Sequence, residues 1–376
     1  LQGSRLGVAL LREGESVGLT ALSEDLLQLH HDAFVFDGHN DAAIRLLAGE
    51  DLSQRLEGGH LDLPRMREAG FDGGIFALWS DPASERPLEK ALSDAARFAA
   101  FLQETPGMHL VLNAGDLAVA ERAGDVAVLI GVEGAYGVER PDDVDRLYDV
   151  GVRCVTLTWM AHTSWADASG LEPRHGGLTR EGRRILARIE KLGMMADISH
   201  AADATARDVL RVAERPPIAS HSGVRRIADH HRNLPDDLLE LLARREGVLG
   251  VVFFSGYLDA EFWLAASEIG ARLENEGTET GSNPRSALAH AVAEEVTPVP
   301  FERLLAHFHH AISVVGPEHV GLGSDFDGVI ALPEGLVDVR DLPKITSALS
   351  ASGLSAGELS AVLGGNLRRA IESVLA

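Results

Sequence analysis

"AFVFDGHND", residues 33–41, changes character halfway. Ala33 to Phe36 are apolar, as in a strand buried on both faces. Gly38, His39, Asn40 and Asp41 then follow with no linker between. A histidine and an aspartate two positions apart at the end of a buried strand suggest a shared partner. Whether other residues join them depends on how the strand's neighbours are arranged.

Working outward, further runs of the same kind recur: "GGIFALW" (73–79), "VAVLIGVE" (126–133), "VRCVTLTW" (152–159), "MMADISH" (194–200), "PIASH" (217–221), "VLGVVFF" (248–254) and "HVGLGSD" (319–325). Most gaps between them carry helical spacing, as in "PLEKALSDAARFAAFLQ", or a helix start and stop, as in "LTREGRRILARIEKLG" ending on Gly193. Eight strands alternating with helices predict a (β/α)8 TIM barrel. An open doubly wound sheet would be expected to carry a glycine-rich phosphate loop after an early strand, and none is present. The expected organisation is one domain over residues 1–376. It has an N-terminal helical extension in 1–30, where "ALSEDLLQLHHDA" is amphipathic, and an acidic insertion at 255–298 after the seventh strand. In a barrel that insertion falls over the catalytic face, as a lid or an oligomer contact.

Composition narrows the function. No run of about 18 apolar residues is present, so no membrane span is expected. The net charge of −23 disfavours nucleic acid and anionic lipid as partners. One cysteine, Cys154, rules out a disulfide framework within the chain, and its apolar setting reads as core. With neither a signal pattern nor a lipid-anchor tail in view, a cytoplasmic location is expected. The chain leaves room for a homodimer.

Barrel chemistry sits at the C-terminal ends of strands. Those ends carry His39 and Asp41 (strand one), Glu133 (three), His200 (five), His221 (six) and Asp325 (eight). Taken singly, each is weak. A lone histidine at a strand end is more often structural, and an acid there often only caps the next helix. Together they are a metal-capable set, inferred from a barrel that the apolar runs alone had indicated. In H-x-D the two side chains leave an extended backbone in the same direction. Imidazoles and carboxylates suit catalytic zinc. Two Zn2+ ions sharing Glu133 account for five of the residues: His39 and Asp41 on one, His200 and His221 on the other. Asp325 is left for proton work beside a hydroxide bridging the ions, an arrangement that hydrolyses amides or esters. The three lysines, Lys90, Lys191 and Lys344, lie away from strand ends, which removes a carboxylated-lysine bridge.

The motifs "FDGHND", "LIGVEGA", "VTLTW…WAD", "GLTREGRRIL…LGMMADISH", "PPIASHS", "HHRNLPDD" and "GLGSDFDG" together resemble the membrane (renal-type) dipeptidases and their bacterial relatives, within the metal-dependent amidohydrolase superfamily. The resemblance runs from about residue 34 to the C-terminus. It implies a two-zinc barrel hydrolysing dipeptides, including those with a C-terminal D-residue. It carries the metal roles onto His39, Asp41, Glu133, His200 and His221, and proton transfer onto Asp325. Arg232, in "HHRN", becomes the residue gripping the substrate's terminal carboxylate. Without the resemblance, an ion pair to Asp236 or Asp237 is the simpler expectation for it. Mammalian members place a substrate-contacting histidine directly after "TLT", where this chain has Trp159. Either His162, three residues on, supplies that imidazole, or Trp159 shapes a different pocket. His30, His31, His230, His307, His309 and His310 are expected to be structural, with His231 a lesser candidate. Other readings are an amidohydrolase acting on N-acyl amino acids or lactones, and a non-catalytic ligand-binding barrel.

Overall fold

Eight parallel strands close into a barrel in the computed structural model, which describes residues 23–275 and 284–376. In chain order the strands are β1 (Phe36–Asn40), β2 (Gly73–Trp79), β3 (Met108–Leu110), β4 (Val126–Glu133), β5 (Val152–Thr156), β6 (Met195–Asp197), β7 (Ile218–Ser222), β8 (Val248–Val252) and β9 (Val320–Gly323). The ring runs β1-β2-β4-β5-β6-β7-β8-β9 and shuts with β9 against β1. β3 stands outside the ring. Its three residues pair with Val126–Val128, while β5 pairs further along the same strand, from Ile130. "MHL" is too short to register as an apolar run, so the sequence showed the ring and missed β3.

Successive residues of the strands divide between two cores. Ile75, Leu129, Cys154, Met195, Ile218 and Val248 belong to an inner cluster that also holds Leu367, Ile371 and Val374 from the helix Asn366–Val374. Phe76, Val128, Ile130 and Val155 belong to the larger cluster under the surrounding helices. Burial on both faces is why the strands read as unbroken apolar runs. Space inside the ring is tight near Ser220. A Cβ added to Gly38, Gly250 or Gly323 would lie 2.6, 2.1 or 2.2 Å from its carbonyl oxygen. Glycine at these points lets β1, β8 and β9 approach β7.

Four strands, β5, β6, β8 and β9, end earlier than the apolar runs. β5 stops at Thr156, so Trp159 lies on the following loop, and His200 and Asp325 lie beyond β6 and β9. The described residues open with the expected helix, Glu24–Asp32, whose Leu26 N–H donates to the Ser23 hydroxyl at 3.3 Å. The remainder of the N-terminal extension, residues 1–22, lies outside the described residues, as do 276–283 of the insertion. After β8 come the helices Ser255–Leu258, Ala260–Asn275 and Pro284–Glu295, then Phe301–Val315. No helix among the described residues is long and apolar enough to cross a membrane.

Candidate metal centre and active site

Local irregularities of the barrel rim bring the strand-end residues together. The β1–β2 register shifts between Asp37 and Asn40, and the β7–β8 register between Ala219 and Ser222. His39 and His221 sit in these shifts, where a bulge re-aims a side chain. Asp41 is not part of the strand. It is the residue that opens the helix Ala42–Leu47, without a side-chain cap bond, and its N–H donates to the Phe326 carbonyl at 2.8 Å. Strand alternation therefore does not explain why His39 and Asp41 converge; the bulge and the helix start do. His200 and Asp325 each follow a strand end with φ of +65° and +57°. Non-glycine residues held there carry strain, and such strain clusters at functional sites.

The result is two overlapping triads, His39–Asp41–Glu133 and Glu133–His200–His221, each with its ligand atoms within 4.8 Å of one another. Glu133 Oε1 lies 3.7 Å from His39 Nε2, 3.0 Å from His200 Nε2 and 3.3 Å from His221 Nε2. His200 and His221 turn their Nε2 atoms to each other at 2.9 Å. All five side chains are buried. His39 Nε2 and Asp41 Oδ1 are buried without a hydrogen-bond partner, 3.6 Å apart. Unpartnered polar atoms and facing imidazole nitrogens in a buried pocket are costly unless a cation lies between them. The donor set therefore fits divalent metal.

The acids of the centre call for a positive charge. Burial alone would lower the His39 pKa, but Glu133 and Asp41 more than offset it and raise the group to about 10, so without metal the imidazole keeps a proton that a bound cation would replace. Burial lifts Glu133 to about 8 against the pull of His39. Burial pushes His200 and His221 well below the usual histidine range, with Arg232 and His39 adding to the effect, so both are neutral and able to act as ligands.

Several contributors carried no role in the sequence reading. Asp197, at the end of β6, accepts from Ser199 N and Ser220 N through Oδ1 (2.9 Å each). Through Oδ2 it accepts from the Thr156 and Ser220 hydroxyls (2.6 Å each). Asp197 also lies within ligand reach of His39 and His221, but these four bonds use its acceptor capacity, and it acts as a fastener. Ser220 Oγ in turn lies 2.9 Å from His221 Nδ1. Asp37 repeats the device on the other side of the ring, taking the N–H and hydroxyl of Ser324 at 2.7 and 2.6 Å. Trp79, the last residue of β2, donates its indole N–H to Asp41 Oδ2 at 3.1 Å. The available signals were an acid inside an apolar run ("FVFD", "MMAD") and a serine directly before each of His200, His221 and Asp325.

Arg232 makes no ion pair with Asp236 or Asp237, which pair with His310 and Arg207 instead. It is buried, donates to the His221 carbonyl at 3.2 Å and lies over the Tyr257 ring at 5.1 Å, and its Nε has no partner. Tyr257 and Trp263, from the insertion, also pack on His230, with ring centroids at 4.7 and 4.5 Å. Asp325 N donates to the His39 carbonyl at 2.9 Å. Its carboxylate fills the space beside Gly328, where an added Cβ would lie 1.9 Å from Oδ1.

Of the two alternatives for the position after "TLT", the His162 ring is the one held within its own loop. Its Nδ1 accepts from Ala168 N and its Nε2 meets the Glu172 carbonyl, both at 3.0 Å. Both ring nitrogens therefore serve the loop's own backbone and none is left for a substrate. Trp159 instead stacks on Trp79, centroids 5.0 Å apart. Two other histidines are tied into the frame: His30 bridges Thr346 and the Ala69 carbonyl, and His307 bridges Val224 N and the Leu258 carbonyl. His230, expected to be structural, is buried with its Nε2 unpartnered.

Comparison with known proteins agrees with this geometry. Residues 23–376 match the family model described as membrane dipeptidase, peptidase family M19. Dipeptidase verJ of Clonostachys rogersoniana is 31 % identical over 370 residues, covering 93 % of this chain and 86 % of that protein. Dipeptidase 3 of Mus musculus is 31 % identical over 375 residues, covering 94 % and 67 %. Among solved structures, the metallopeptidase dipeptidase AC of family M19 superposes with a TM-score of 0.73 at 28 % identity, covering 91 % of this chain and 98 % of that one. A metallopeptidase from Rhodobacter sphaeroides bound to a phosphinate mimic of L-Ala-D-Ala gives 0.73 at 26 % identity, covering 91 % and 99 %. The chain belongs to the membrane dipeptidase family M19 and is a metal-dependent hydrolase of peptide bonds.

Proposed function

We propose that the protein is a two-zinc dipeptidase that cleaves free dipeptides, including those with a C-terminal D-residue. The observation that carries this is the pair of triads meeting at one carboxylate, Glu133. His39 and Asp41 would hold one ion, His200 and His221 the other, with Glu133 common to both. When bound, the ions would supply Lewis acidity and a hydroxide at neutral pH. The remaining chemistry belongs to the chain. Asp325, from the strand end beside His39, would take the proton of the attacking water and deliver it to the amide nitrogen as the C–N bond breaks, so that the amine leaves neutral. Arg232, buried with a spare N–H, would bind the terminal carboxylate in a charge-assisted contact and so select dipeptides over longer chains. The Rhodobacter relative's ligand, a mimic of an L,D-dipeptide, supports tolerance of a D-residue at the C-terminal side.

Metal analysis joined to a substrate panel tests the proposal. Purified protein replete with zinc should hold about two ions per chain, by the ligand count above. Glu133→Gln should lose metal and turnover together. L,L- and L,D-dipeptides should be cleaved, and their amides, N-acyl amino acids and lactones should not. One ion per chain, or equal rates on dipeptides and their amides, would refute it.

A further inference from the structure

We infer that Trp79 and Trp159 form the wall that receives the side chain of the substrate's N-terminal residue, giving a preference for dipeptides with a large apolar residue there. The inference deepens the proposed function and rests on its placement of the substrate carboxylate at Arg232.

Barrel order gives the direction. Arg232 lies in the loop after β7 and is tied to that strand through the His221 carbonyl. In the ring β1-β2-β4-β5-β6-β7-β8-β9, β2 is four strands from β7 on either path, so it stands opposite. A dipeptide with its carboxylate at Arg232 and its scissile bond at Glu133 therefore directs its N-terminal residue towards β2. Trp79 waits there as the parallel-register partner of Glu133, so both side chains leave the sheet on the same face.

The pair is built rather than incidental. The indole N–H of Trp79 is spent on Asp41, which leaves that side chain only its apolar faces. Trp159 stacks on it at 27° between ring planes. Gly134 makes the room: with φ of +79°, its added Cβ would lie 2.9 Å from Trp159 Cβ and 2.6 Å from the Tyr136 ring. The Tyr136 hydroxyl accepts from Ala161 N at 2.9 Å and holds the loop carrying Trp159. Both indoles remain partly exposed, and the neighbouring Met160 is 68 % exposed. Half-covered indole faces beside a buried polar centre gain by being covered with an apolar group.

The test is kcat/KM on four dipeptides sharing one C-terminal residue, with Gly, Ala, Leu or Phe in front. The wild type should favour Phe over Gly by about tenfold or more, the usual worth of a side chain in an apolar pocket. Trp159→Ala should collapse that ratio, mainly through KM, at unchanged metal content, and Trp159→Phe should restore most of it. A ratio unmoved by Trp159→Ala overturns the subsite. So does an equal fall on all four substrates, which would mean that the indoles meet the α-ammonium common to them. Arg232→Met on the same series separates the two ideas, since it should lower all four together. No effect of Arg232→Met overturns the clamp, and the direction argued from it; a normal effect with an unmoved ratio overturns the subsite alone.

Discussion

Asp197→Asn should weaken metal binding by moving one proton, without dismantling the rim. The Ser220 hydroxyl has a single proton and three acceptors in reach, Asp197 Oδ2 at 2.6 Å, His221 Nδ1 at 2.9 Å and, farther off, the Ser199 hydroxyl at 3.3 Å. The bond to the carboxylate is shorter and charge-assisted, so it takes the proton. His221 then donates from Nδ1 to Ser220 and presents a bare Nε2 to the Glu133 cluster. In the variant, Ser199 N and Ser220 N still require an acceptor, so they hold the amide oxygen in the place of Oδ1. The amide nitrogen must then face Thr156 and Ser220. It donates to Ser220, whose own proton turns to His221 Nδ1, and His221 must carry its proton at Nε2, where a metal needs a lone pair. Changes behind a ligating histidine cost about 10–100-fold in metal affinity, which is about 1.4–2.7 kcal/mol. Stability should fall as well. All four hydrogen bonds of Asp197 pass from a carboxylate to a neutral amide, a loss of about 1–1.5 kcal/mol each. Zinc titration against a competing chelator, with circular dichroism to confirm folding, reads the first effect; chemical denaturation of the metal-free protein reads the second. Ser220→Ala, which removes the relay and leaves the carboxylate, should also weaken zinc. A folded Asp197→Asn variant binding both ions with wild-type affinity would refute the tautomer reasoning.

Asp325→Asn should retain metal and lower kcat by about 10²–10⁴-fold, the usual worth of a general acid–base; loss of an ion by elemental analysis would make Asp325 a ligand first. Gly328→Ala should lower kcat in the same assay, since its methyl would displace the Asp325 carboxylate. Arg232→Met should cost about 1.5–3 kcal/mol in kcat/KM on dipeptides. His30, fully buried, has its pKa lowered to about 4, chiefly by burial. Its folded value lies below the unfolded one, so the unfolded chain binds the extra proton and stability is lost as pH falls from about 6.5 to 4. His30→Gln should remove up to about 3 kcal/mol of that pH dependence in denaturation curves, and an unchanged slope would contradict it.

The barrel was legible because its strands are buried on both faces. Ile75 and Phe76, or Leu129 and Ile130, enter different cores, yet both are apolar, so each strand becomes an unbroken run. β3 was missed for the opposite reason. It is three residues long, with His109 and Leu110 only partly buried, and nothing in "MHL" separates a strand from a loop. Trp159 was placed at a strand end because "VTLTW" stays apolar and β-branched past Thr156. The chain leaves the sheet there through a turn that no residue in the run announces.

The site was legible as a set of residue types and illegible as a geometry, and one physical cause explains both. A metal centre needs side chains to converge on a point, whereas regular strands of a barrel send them out in parallel layers. Convergence therefore has to come from departures: the register shifts under His39 and His221, the helix start at Asp41, and the positive φ of His200 and Asp325. Periodicity contains no signal for such departures, because they are where periodicity fails. What the sequence does hold is the cost of keeping them in place. Asp37 and Asp197 are acids buried inside apolar strands, tolerable only because each holds several hydrogen bonds. The serines before His200, His221 and Asp325 are among their partners or beside them. His162 shows the converse. It stands in the right stretch with the right chemistry, but both of its nitrogens are engaged by the loop's own backbone. An imidazole near a site becomes functional only when the fold leaves one of its nitrogens unspent, as it does for His39 Nε2.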